Sequence, residues 1–106
     1  MSADADPLLD FAVEAQVIYW RGPSPFFFAP IPEPRASELR RVARAVTYGW
    51  GMIPVDVEIG GVAFTTCLFP KDDGYLLPLK AAVRRKTNIT VGDVITIEMI
   101  VKAPAR

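Results

Sequence analysis

The segment Gly74 to Lys86, GYLLPLKAAVRRK, reads as the start of a short helix with Lys80 in its first turn and Arg84, Arg85 and Lys86 in its body, without one carboxylate. Unpaired N–H groups give a helix N-terminus partial positive charge. A lysine there is unfavourable by a few tenths to about 1 kcal/mol unless an anion compensates it. One source of compensation is an external anion, approached by the helix N–H groups, Lys80 and, one turn on, Arg84, with Tyr75, Lys71 and Trp50 as candidate walls. The other is internal: Asp72 or Asp73 folds back from the preceding turn as a local cap, which needs no ligand. The sequence leaves both open, and the internal cap is the more ordinary of the two.

Other chemistry is thinner. Asp72, Asp73, Tyr75 and Lys80 can be drawn as an acid/base set, with Lys80 a nucleophile if desolvated. Yet Lys71-Asp72-Asp73-Gly74 has the composition of an ordinary turn, and nothing in its spacing requires catalysis. Cys67 is the one cysteine and histidine is absent. Those counts exclude an internal disulfide, Cys/His zinc sites and imidazole triads, so no catalytic residue, metal or cofactor is expected. Cys67 lies mid-strand, where a thiol usually serves as inert packing.

Arg35, Arg40, Arg41 and Arg44 on one helix and Lys80, Arg84, Arg85 and Lys86 on the other suggest phosphate contacts, as on a nucleic-acid module. Ordinary solvated faces balanced by Asp4, Asp6, Asp10 and Glu14 are the plainer reading. Twelve Lys plus Arg against twelve Asp plus Glu give a formal charge of zero, so no whole-chain field gathers nucleic acid or an anionic membrane.

The elements that must position these residues follow from periodicity. Phe11 to Arg21 begins as an alternating strand, with Phe11, Val13, Ala15 and Val17 on one face and Glu14 and Gln16 on the other. After the turn Gly22-Pro23-Ser24-Pro25, Phe26 to Ala29 is a brief run closed by Pro30 and Pro32, which points to an edge strand. Successive strand residues face opposite ways, so Phe26, Phe27 and Phe28 cannot share one core. At least one ring needs cover from the first helix or Trp20, or else marks a homodimer contact or ligand rim.

Leu39, Val42, Ala43 and Val46 form the apolar stripe of a helix from about Pro34 to Val46, stopped at Gly49. Ile53, Val55, Val57 and Ile59 alternate into Gly60-Gly61, a two-residue turn that places Ile59 opposite Val62, Val57 opposite Phe64, Val55 opposite Thr66 and Ile53 opposite Leu68. Thr66 is the one polar intruder on that face. Tyr75 to Leu77 is a short strand. Pro78 opens the second helix and Asn88 ends it. Val91-Gly92-Asp93 turns into a last strand with Ile95, Ile97, Met99 and Val101 inward.

The order strand, strand, helix, strand thus occurs twice, from Phe11 to Ile59 and from Val62 to Lys102, which predicts approximate two-fold symmetry. The expected fold is mainly β (α+β): a small closed β-barrel with a short helix over each opening, which hides the sheet edges. At 106 residues and 51% apolar content the chain is a single domain, residues 1–106, able to bury roughly two thirds of its unfolded surface. Residues 1–10 are expected as a flexible arm and 103–106 as a frayed tail. The acidic start lacks the features of a secretory signal, and no apolar stretch approaches the roughly 18 residues of a membrane span, so the expected location is the cytoplasm.

The stretch Gly49 to Met99 resembles the domain of unknown function 1905 family. The matching motifs fall in order at Gly49–Gly51 (Gly-Trp-Gly), Pro54-Val55, Gly60-Gly61, Leu68–Pro70, Gly74–Pro78, Lys80–Arg84 and Val91–Asp93. Cys67 stands where serine is more usual. The resemblance implies a double-split β-barrel and no activity, so no functional residues carry over. The expectation is a non-enzymatic domain, monomer or homodimer, that binds a small anionic ligand or a protein partner, without a membrane. A phosphate-contacting nucleic-acid module comes second and an enzyme third.

Overall fold

A computed structural model describes residues 7–20, 26–46 and 51–102. The elements run β1 (Leu9–Gln16), β2 (Ile18–Trp20), β3 (Phe26–Pro30), α1 (Arg35–Val46), β4 (Ile53–Ile59), β5 (Val62–Lys71), β6 (Gly74–Pro78), α2 (Ala81–Thr87) and β7 (Val94–Val101). The expected Gly22–Pro25 turn, Gly49, Trp50 and the tail 103–106 lie outside the described residues. Leu9 and Asp10, expected in a flexible arm, are instead strand, paired with Val101 and Ile100.

The fold is mainly β. Seven strands, each antiparallel to its neighbours, form a curled half-barrel in the order β1-β7-β4-β5-β6-β3-β2, accompanied by two helices. The predicted hairpin is present in its predicted register, Ile59 against Val62 through to Ile53 against Leu68. Gly60 (φ +56°) and Gly61 (φ +81°) both take the left-handed conformation that a two-residue turn of this kind demands. Asp56 is half-buried and Glu58 exposed, on the face away from the core.

The core is built from inward positions of the long strands: Phe11 and Ala15 of β1, Ile53 to Ile59 of β4, Leu68 of β5, and Ile95, Ile97, Met99 and Val101 of β7. Leu39 and Val46 of α1 join it, with Val42 and Ala43 packed alongside, which is the stripe the periodicity placed there. Glu33 supports the start of this helix, because its Oε1 accepts hydrogen bonds from the Ser37 amide (2.9 Å) and hydroxyl (2.7 Å). Those bonds favour the ionised form and hold the Glu33 carboxyl below its ordinary pKa.

Three expectations are corrected. The strand from Phe11 to Arg21 is broken at Val17, whose amide donates to the Asp93 carbonyl while its own carbonyl accepts from Gly92. From there β2 leaves β7 and pairs with β3. Second, β3 is no edge strand: it lies between β2, through Ile18 and Phe28, and β6, through Phe28 and Pro78. Its prolines close the strand end without exposing its side. Third, Pro78 is the last residue of β6 and not the first of α2, which starts only after an extended N-cap at Lys80. Asn88 does end α2, in the left-handed conformation, with its amide donating to the Arg84 carbonyl.

Candidate functional site

The β5–β6 hairpin contains the sequence reason for a gap in the sheet. Its register pairs Lys71 with Gly74, Pro70 with Tyr75 and Phe69 with Leu76, and there the pairing ends. Continued two steps, it would set Cys67 against Pro78, which has no N–H to give. Beyond that point β6 follows β3, with the Leu79 amide donating to the Phe27 carbonyl at 2.9 Å, while β5 remains with β4.

Between the diverging strands lies a groove of about 370 Å³. Thr66, Cys67 and Phe69 of β5 form one wall, Pro78, Leu79 and Lys80 the other, and Phe26 to Phe28 and Met52 complete it. Both faces of β5 contribute, as a gap at a strand edge requires. Among the described residues lining it, Lys80 is the one charged group.

Around the groove the aromatic rings pack at inclined angles. Phe28 is buried beneath Trp20 (centroids 6.3 Å), Phe26 (5.9 Å) and Phe69 (6.2 Å). Trp20 thus covers one ring of the Phe26–Phe28 run, as one sequence reading proposed. Phe26 itself remains 53% exposed and Phe69 44%. Stacked or T-shaped rings attract each other, but these two leave an apolar rim that the fold does not bury.

The five residues proposed from sequence fall in different places. Lys80 is exposed at the rim, the N-cap of α2, and makes no side-chain capping hydrogen bond. The Arg84 guanidinium lies over the Phe27 ring, 3.8 Å from its centroid, and its Nε donates to the Leu79 carbonyl at 3.0 Å, so it clamps α2 to β3. The Lys71 ammonium sits over Trp20 at 4.3 Å. Tyr75 is a core residue, and burial raises the pKa of its phenol. Trp50 lies outside the described residues.

The internal cap is not formed. The first turn of α2 holds no acidic residue, and the turn aspartates lie at the far end of β6. Asp72 meets Lys71 at 4.0 Å and the Asp73 carbonyl accepts from Arg40. Two arginines of the basic face of α1 are also partnered, though by acids at the helix start: Arg35 with Glu38 at 2.7 Å and Arg40 with Glu33 at 3.4 Å.

Sequence reasoning missed Met52, Thr66, Cys67, Phe69, Pro78 and Leu79 as groove residues. The signal was present in the hairpin register, which brings a proline to a position where a donor is needed. No group of three or more His, Cys, Asp or Glu placed to hold a metal occurs among the described residues, and no helix there is long and apolar enough to cross a membrane.

The family described as Domain of unknown function (DUF1905) matches residues 14–99. The chain belongs to that family. The match runs from β1 to β7 and takes in every groove residue named above. No curated protein and no solved structure matches the chain.

Proposed function

We propose that this domain is a non-enzymatic binding module for a small anionic ligand with an apolar body, the body in the β5–β6 gap and the anionic end at Lys80. One observation carries the reading: an apolar groove with a single cation at its rim. Its volume is at the small end of the range for ligand sites, roughly 300–1,000 Å³. A surface lysine without an anionic partner costs little, and an anion delivered with apolar surface gains both terms at once.

A phosphate-contacting surface on α1 has less support, because Arg35 and Arg40 face Glu38 and Glu33. The test is thermal stability of the protein with and without phosphate, sulfate, nucleotides and a series of small carboxylates, since a ligand selective for the folded state raises the melting temperature. A rise with apolar carboxylates that Lys80→Ala abolishes supports the reading. No rise with any anion, or one that survives intact in Lys80→Ala, removes it.

For the fold, we infer that the sheet closes into a double-split barrel with internal two-fold symmetry. Strands exchanged by a two-fold must pair antiparallel, and β3 with β6 and β4 with β7 do. The hairpin pairing of β4 with β5 is matched by β7 with β1, and that of β5 with β6 by β2 with β3. The two ends of the strand order, β1 and β2, are separated in the chain by Val17 alone. An experimental structure whose halves superpose after a half-turn checks this.

A further inference from the structure

We infer that the ligand class of the groove is a small aromatic carboxylate, in preference to an aliphatic one of equal size. This rests on the binding reading above and narrows it. The groove contains Phe26, Phe27, Phe28 and Phe69 together with the sulfur atoms of Met52 and Cys67, while Leu79 is its one branched aliphatic residue. The phenyl planes are inclined, by 47° between Phe26 and Phe28 and by 59° between Phe28 and Phe69. Inclined rings present both edges and faces to the groove they line. A flat ring placed there meets positive edges with its own face and negative faces with its own edge, the arrangement that the quadrupole of an aromatic ring rewards. Thioether and thiol sulfur favour ring contact in the same way. An aliphatic body of similar size gains only the burial of area.

Two further observations fit this occupant. Phe26 and Phe69 are the most exposed of the groove aromatics, so an occupant of the gap removes the apolar rim from water. Charge complementarity fixes the polar end, since Lys80 is the only charged group among the described lining residues. Elsewhere in this half of the sheet, Lys71 lies over Trp20 and Arg84 over Phe27. Lys80 has no such ring partner among the described contacts, and its ammonium is left for the ligand.

The discriminating probes are 3-phenylpropionate and 3-cyclohexylpropionate, which carry the same carboxylate and chain, measured by calorimetry on the whole protein. The saturated ring is the more hydrophobic, so simple burial predicts that it binds at least as tightly. Ring–ring geometry predicts the reverse, by about three- to tenfold in Kd. Phe69→Leu, at an exposed position that tolerates the change, brings the two probes to parity. Lys80→Met weakens both alike. Equal affinities, or a preference for the cyclohexyl acid, overturn the aromatic inference and leave anion binding standing. Binding of neither probe overturns both.

Discussion

The two arcs of the sheet obey the same alternation rule with different outcomes. In β1-β7-β4 the outward residues include Val94 and Ile100 but no aromatic ring, and the inward ones are buried almost completely: Ile97, Ile53 and Val101 are all 0% exposed. In the arc through the end of β5, β6, β3 and β2 the inward side is equally well packed, with Ala29 and Leu77 buried, but the outward side also carries rings: Trp20, Phe26, Phe28 and Phe69. A sheet needs one apolar face to fold. The second apolar face is therefore surplus to folding, and it borders the gap that Pro78 opens.

The comparison breaks most directly if truncation in the first arc proves cheap. Ile97→Ala is expected to cost about 3 kcal/mol in denaturant unfolding, because it empties a fully enclosed site. Phe69→Ala, at the exposed rim, should cost about 1 kcal/mol or less, through lost contact with Phe28. Costs of equal size would remove the distinction between a structural arc and a binding arc.

Gly61→Ala should cost about 1 kcal/mol, even though no atom lies within contact distance of the added methyl, because φ is +81° there. A neutral result would show that the hairpin register does not depend on its turn. Arg84→Ala is expected to cost about 1 kcal/mol by releasing α2 from Phe27, while Arg84→Lys restores charge without the flat stacking surface and recovers only part of that loss.

The smallest effect concerns pH. The Glu33 carboxyl titrates lower in the folded chain than in the unfolded one, so its contribution is complete above the unfolded value of about 4.3 and disappears as pH falls through the folded value. Glu33→Gln should flatten the acid limb of a melting-temperature profile slightly below about pH 4.3, leaving the neutral region nearly unchanged. An unchanged acid limb would mean that the Ser37 hydrogen bonds do not persist in solution.

The β4–β5 hairpin was legible in the sequence because its information is local. Gly60-Gly61 sets the register of β4 and β5, and one buried face forbids a slip of one residue. The position of β3 was not legible. Its pairing with β6 joins Phe28 to Pro78, residues far apart in the chain, and the prolines around it mimic an edge. The site shows the same division. Lys80 lines the groove, whereas Arg84 and Tyr75, near it in sequence, are drawn away by Phe27 and by the core. What the anion would sit beside depended on two strands parting, which no single stretch of residues reveals.

The run of β5 through both arcs has a consequence for cooperativity. Its residues Val62 to Leu68 belong to β4 and its residues Phe69 to Lys71 to β6, with the change of partner falling beside the groove. The two arcs thus share one continuous strand, so disorder in either ladder reaches the first residue of the other. The protein should therefore unfold in one transition, with far-ultraviolet circular dichroism and tryptophan fluorescence giving the same midpoint. An occupant of the groove should slow amide exchange in β7, which lines no part of the groove, as much as in β6.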